Sequence, residues 1–264
     1  MYAVIPARNE GTRLRQAVQT VRQAGLRDLI VVVNGCQDHT RDVAASLQDG
    51  RLTLLHFDEA LGVDIPRAVG AAYAYRKGAE HVLFYDGDLI GPHRDELGKL
   101  IDSARRFSLD LALTDPYGTA HGLDVAREPL LALRRDLARR LGLEGRLGLS
   151  NPAHGPHIVS RALLRHIPLD FLAKPPLVLA YAARAGLHLD ALARIPHARL
   201  GSAHKGPEHY AKIRETIIGD HLEAFCYLDG RPRSRRLHSR LFDGYDSERR
   251  FDLLARFARS LTRT

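Results

Sequence analysis

The chain has 264 residues, 45% hydrophobic and 27% charged, and a formal net charge of +8 that comes almost wholly from arginine. This is the composition of a soluble protein long enough to bury a full core, and no apolar stretch could span a bilayer. Two cysteines, Cys36 and Cys226, are too few for a disulfide framework or a thiolate metal site, and no secretory signal precedes the first apolar run, so a cytoplasmic protein is expected.

The first half alternates short apolar runs with helical patterns, which predicts βαβ units and a mostly parallel sheet. Strands are expected at Tyr2 to Ile5, Leu29 to Val33, Leu52 to Phe57, His81 to Tyr85 and Leu109 to Leu113. Between them, Leu14, Val18 and Val21 share a helical face that ends near Gly25, and a short helix follows Thr40. A third helix starts at Pro66, a favourable first-turn residue, and stops at Gly78. A fourth, after Pro92, carries Leu97, Leu100 and Ile101 on one side.

After about residue 115 the alternation gives way to a Gly-rich loop and an Arg-rich helix that runs to about Leu141. A short strand is expected at Ile158-Val159, and a helix from Pro175 to Ala185. Farther on, Tyr210, Ile213, Ile217, Leu222 and Phe225 trace one stripe of a long helix ending at Gly230. A final amphipathic helix carries Phe251, Leu254 and Phe257. The change of pattern divides the chain into residues 1–115 and 116–264, expected within one compact domain.

Ligands of open parallel sheets bind where the strands end. Three polar loops leave those ends: Pro6-Ala7-Arg8-Asn9-Glu10, Asn34 to Thr40, and Asp86-Gly87-Asp88. An isolated Asp-Gly-Asp is an ordinary turn, and Asn34-Gly35, Asp38 or Glu10 alone are ordinary turn or capping residues. Two carboxylates flanking a glycine at a strand end are also what holds a hard divalent cation against a diphosphate.

Taken together, in order and at their spacing, these three motifs resemble family 2 glycosyltransferases, over roughly residues 1 to 115 and more loosely beyond. The resemblance implies the glycosyltransferase-A fold, an α/β architecture with a Rossmann-like, mostly parallel sheet and a C-terminal acceptor-binding elaboration. It implies transfer of a sugar from a nucleoside-diphosphate-sugar to an acceptor hydroxyl, with Mg²⁺ or Mn²⁺. Pro6, Ala7, Arg8, Glu10, Asn34, Arg67, Asp86 and Gly87 would then bind the nucleotide-sugar, with Asp86 and Asp88 as the catalytic pair and Asp88 on the metal. A C-terminal histidine completes the metal shell in several proteins of this fold; His204 is the first choice and His209 the second.

In inverting members a carboxylate at the start of an acceptor-side helix deprotonates the acceptor. The corresponding stretch, Phe171-Leu172-Ala173-Lys174-Pro175-Pro176, has none, which points toward a retaining reaction resembling mannosylglycerate or glucosyl-phosphoglycerate synthases; Asp115 and Asp170 are fallback bases. Tyr117, Gly118, Thr119, His154 and Lys205 are the expected acceptor-binding residues, and their donors suit a small anionic acceptor. His221, within an apolar stripe, reads as a core histidine.

Five arginines between Arg231 and Arg240 lack interleaved aromatics, so no nucleic-acid partner is expected. They read as a solvated segment or an oligomer contact, with peripheral membrane contact left open. Two other functions remain as alternatives. A sugar-phosphate nucleotidyltransferase would use Gly11-Thr12-Arg13-Leu14 as its phosphate loop, although that segment reads better as a helix start; a non-catalytic nucleotide-binding relative is the other.

Overall fold

The computed structural model describes residues 1–118, 125 and 127–262. Its first half is β1 (Tyr2–Ala7), α1 (Leu14–Gln23), β2 (Leu29–Asn34), α2 (Thr40–Ser46), β3 (Leu52–Phe57), α3 (Ile65–Arg76), β4 (His81–Phe84), α4 (Arg94–Arg106) and β5 (Leu111–Asp115). The second half adds α5 (Pro129–Arg140), α6 (Glu144–Leu147), β6 (His157–Ser160), α7 (Arg161–His166), α8 (Pro175–Arg184), β7 (Leu189–Arg194), α9 (Pro207–Leu228), a small hairpin of β8 (Arg236–Leu237) and β9 (Arg240–Leu241), and α10 (Phe251–Thr262). No helix among the described residues is long and apolar enough to cross a membrane.

Seven strands form one sheet in the order β3-β2-β1-β4-β6-β5-β7. All neighbours are parallel except β6, which runs antiparallel between β4 and β5. The central strands are apolar on both faces, as a sheet covered on both sides requires. Ala3, Ile5, Val31 and Leu83 pack against α1 and α4 on one side; Val4, Val32, Val82 and Val159 pack against α3, α8 and α9 on the other. Residue 115 ends β5, so strands from both halves of the sequence complete a single sheet.

The expected strands and helices of the first half are present with small shifts at their ends. β7 was not anticipated: Leu189-Asp190-Ala191-Leu192-Ala193-Arg194 has no β-branched residue and only loose alternation, and its pairing with β5 makes it a strand. Tyr210 departs from the expected stripe. It is 64% exposed, because α9 buries residues only from Thr216 onward, past its first two turns. Arg235 also departs from the expected solvated segment, being 7% exposed and ion-paired to Asp220 and Glu223.

One close approach locks the loop before α9 onto the loop after β4. Gly91 N donates to Leu200 O at 3.0 Å, and a Cβ on Gly91 would lie 1.8 Å from Arg199 O. His93 Nδ1 lies 2.9 Å from the same carbonyl and so must donate to it, while Nε2 meets the Tyr85 hydroxyl at 2.9 Å. Gly91→Ala is therefore expected to cost about 1–3 kcal/mol in urea unfolding, as overpacking does. Gly98→Ala, in open space on α4, should be neutral or stabilising by about 0.5–1 kcal/mol.

Candidate active site

The three polar loops converge at the carboxyl edge of β1, β2 and β4 on a cavity of about 620 Å³. Backbone geometry sets them. Gly87 N donates to Pro6 O at 3.0 Å, and a Cβ there would come within 2.8 Å of that oxygen, so glycine lets the Asp86–Asp88 loop lie on β1. Glu10 N donates to Thr40 Oγ1 (2.7 Å) and Gly11 N to Asp38 Oδ2 (3.0 Å), which ties the first loop to the second.

Pro6, Ala7, Arg8, Glu10, Asn34, Arg67, Asp86, Gly87, Asp88 and Lys205 all line this cavity. Asn34 is 2% exposed and spends its amide on the scaffold, accepting from Leu61 N at 3.0 Å and donating to Ala7 O at 3.4 Å. Asp86 is gripped by Arg67, whose Nη2 lies 2.6 and 2.7 Å from the two carboxylate oxygens. Burial pushes the Asp86 carboxyl up, but the Arg67 charge and hydrogen bonds outweigh it and hold the group below the usual carboxylate range.

Asp88 and Glu10 have the opposite environment. Burial, joined by the Asp86 charge, pushes the Asp88 carboxyl up despite Lys205, and burial likewise pushes Glu10 up. Lys205 Nζ lies 2.8 Å from Glu10 Oε1 and 3.7 Å from Asp88 Oδ2. Two under-neutralised carboxylates with one ammonium between them form a donor set of hard oxygens that fits Mg²⁺ or Mn²⁺.

Ala203 N donates to Asp88 Oδ2 at 3.2 Å, so the loop carrying His204 runs past Asp88. His204 itself is exposed and does not line the cavity, whereas His209 does, with Nδ1 2.8 Å from the Tyr245 hydroxyl. Among the described residues, the group of three carboxylates close enough together to hold a cation is Asp220, Glu223 and Asp246, but Arg235, Arg249 and Lys174 already fill it.

The expected acceptor residues are divided. Lys205 is in the cavity; Tyr117 and His154 lie beside it, against each other at 5.5 Å between rings, with Ala153 on the cavity wall. Gly118 packs on the Arg194 guanidinium, and Thr119 lies outside the described residues. His221 is fully buried with Nδ1 bonded to Ile217 O at 2.7 Å, as a core histidine. Asp115 accepts from Tyr117 N and Gly118 N, Asp170 pairs with Arg233, and neither lines the cavity.

Two positioning residues had no signal in the sequence. Arg13 Nη1 donates to Gly201 O at 2.9 Å and reaches Asp88 O at 3.4 Å, joining two loops. Asp64 pairs with Arg67 at 2.6 Å and with Arg249 at 3.3 Å. Apart from Arg67, three residues from Asp64, their partners are 75 to 188 residues away.

The family profile described as glycosyl transferase family 2 matches residues 2–167. The chain belongs to that family. Glycosyltransferase activity follows from this membership, and Gly11-Thr12-Arg13 is a turn leading into α1. No curated protein matches the chain significantly.

Among solved structures, glucosyl-3-phosphoglycerate synthase from Mycobacterium tuberculosis with Mn²⁺ and UDP-glucose is similar, at 23% identity over 89% of this chain and 80% of that one, TM-score 0.57. The same synthase with Mn²⁺, UDP and glucosyl-3-phosphoglycerate gives 23% identity, 89% and 81% coverage and TM-score 0.55. With Mn²⁺, UDP-glucose and phosphoglyceric acid it gives 20%, 89% and 81%, and 0.56. At these identities the likeness is one of fold.

Three outcomes are expected around the carboxylates. Arg67→Met strips a buried ion pair and should cost about 3–5 kcal/mol in denaturant unfolding. Because the folded Asp86 group lies below its ordinary value, its contribution to wild-type stability holds at neutral pH and is lost as pH falls below about 4. The raised Asp88 carboxyl opposes folding at neutral pH, so Asp88→Asn should raise the thermal midpoint of the metal-free protein.

Proposed function

We propose that the protein transfers a sugar from a nucleoside-diphosphate-sugar to the hydroxyl of a small anionic acceptor in the cytoplasm, with retention of anomeric configuration and dependence on Mg²⁺ or Mn²⁺. One observation carries the reading: Asp88 and Glu10 are under-neutralised at the cavity edge around a single ammonium, beside an Asp86 immobilised by Arg67. Support also comes from the similar synthase, whose structures hold Mn²⁺, UDP-glucose and phosphoglyceric acid.

Asp88 would hold the ion, with a histidine of the adjoining segment, His204 or His209, as a second ligand. A bound divalent cation supplies positive charge for the departing diphosphate. Asp86, fixed by Arg67, presents a carboxylate of defined position to the ribose. Arg8, Asn34 and the Pro6-Ala7 backbone form the nucleoside wall.

Retention is favoured by the start of α8. Pro175 faces the cavity there, while Lys174 is held by Glu223 at 2.5 Å and Asp246 at 3.2 Å, so this helix offers no base to the acceptor. Both cysteines are free thiols, in keeping with a reducing compartment.

A thermal-shift panel of UDP-, GDP- and ADP-sugars tests the donor, with a midpoint rise expected for one base and only with Mn²⁺ present. Transfer assays with that donor and small phosphorylated or carboxylated acceptors should lose about 10²–10³-fold in kcat in Asp88→Asn and lose activity on chelation. Proton NMR of the product should give the donor's anomeric configuration. Metal-independent transfer, or an inverted product, overturns the corresponding part.

A further inference from the structure

Arg134, on α5, is 4% exposed, yet no carboxylate among the described residues pairs with it. A guanidinium cannot shed its charge, so burial without a counter-ion is costly and ordinarily avoided. Its Nη1 donates to the Tyr117 hydroxyl at 2.9 Å and approaches His154 Nδ1 at 3.4 Å, with its plane 5.7 Å from the Tyr117 ring centre. Its Nε is buried with no hydrogen-bond partner among the described residues. Among the described residues, the other deeply buried arginines, Arg235 and Arg249, are each matched by two or more carboxylates.

Among the described residues, the groups around Arg134 are neutral hydrogen-bonding side chains with no carboxylate. His154 Nε2 lies 3.1 Å from His197 Nδ1, and His197 is exposed, so the cluster opens from the arginine to solvent. Burial and the Arg134 charge press His154 down to about 3, which keeps it a neutral hydrogen-bonding group. The Arg194 guanidinium, also exposed, lies against Gly118 on the same rim. The cluster adjoins the donor cavity through Ala153, next in sequence to His154.

We propose that Arg134, with Tyr117, His154 and His197, forms an oxyanion-binding site that takes the phosphate or carboxylate group of the acceptor. This assignment rests on the reading of the protein as a transferase to an anionic acceptor and names the residues that select it. An oxyanion against the half-buried Tyr117 and His154 and the exposed His197 supplies the counter-charge that Arg134, buried behind them, lacks, and orients the acceptor hydroxyl toward the cavity. The protein tolerates a destabilising buried charge in the free state because the ligand neutralises it.

Isothermal titration of the full chain with inorganic phosphate, and then with 3-phosphoglycerate, tests the site. Wild type should bind both, with phosphate displaced by 3-phosphoglycerate. Arg134→Met and Arg134→Lys should bind each at least 10-fold more weakly, and His197→Ala several-fold more weakly. Binding of UDP with Mn²⁺, measured on the same samples, should be unchanged and certifies the fold. The free Arg134→Met protein should melt at or above the wild-type midpoint, and phosphate should raise the wild-type midpoint alone.

Equal phosphate affinity in wild type and Arg134→Met overturns the site, and simultaneous binding of phosphate and 3-phosphoglycerate overturns its assignment to the acceptor. Absence of UDP and Mn²⁺ binding in wild type overturns the donor reading instead, so the two failures are distinguishable.

Discussion

A continuous chain of buried ion pairs runs from the sheet edge to the C-terminal helices, and the geometry of the cavity depends on it. Asp86 is held by Arg67, Arg67 by Asp64, Asp64 by Arg249, Arg249 by Asp220 and Asp246, Asp220 by Arg235, and Arg235 by Glu223, which Lys174 also binds. Four cations meet five carboxylates in a low-dielectric interior, so each charge is tolerable only while its neighbours stay in place. Small residues make room for it: a Cβ on Gly219 would lie 2.3 Å from the Arg235 guanidinium. The segment after α9 is thereby tied to the loop after β4, and Asp86 cannot shift without disturbing both.

Arginine suits three of these four positions because its planar fork binds two carboxylate oxygens or two partners at fixed angles. Arg67 spans Asp86 and Asp64, and Arg249 spans Asp64, Asp220 and Asp246. The basic composition thus has a structural use, since much of the arginine between residues 231 and 250 is engaged with acids of the same chain: Arg231 with Asp229, Arg233 with Asp170, Arg240 with Glu215 and Arg250 with Glu59 and Asp252. Against that background the uncompensated Arg134 stands apart, as do Asp88 and Glu10, whose charges exceed what Lys205 offsets. Uncompensated charge of opposite sign thus lies at two places among the described residues, Arg134 and the Asp88–Glu10 pair.

Much of the first half was legible from local pattern. β-branched runs, the glycine stops at Gly25 and Gly78, and Pro66 in the first turn of α3 each act within a few residues of themselves. The loops carrying Glu10 and Asp86-Gly87-Asp88 were readable for the same reason: they are polar segments at the ends of apolar strands, and a parallel sheet brings such ends together. β7 was not legible, because an Ala- and Leu-containing edge strand becomes extended through its pairing with β5. Arg235 reads as one member of a basic run until Asp220 and Glu223, on the preceding helix, are folded against it.

The sequence by itself determined the α/β class, the polar loops that meet at the strand ends and the chemistry of a carboxylate pair flanking a glycine, since all of these follow from period, turn residues and side-chain type. Only the tertiary structure decided which carboxylates are neutralised and which are left needing a cation, that His204 faces solvent while His209 faces the cavity, and that Arg134 is buried without a counter-ion. The physical reason is common to all three. Whether a charge is balanced depends on partners many tens of residues away and on how much water the fold removes, and neither is encoded in local spacing.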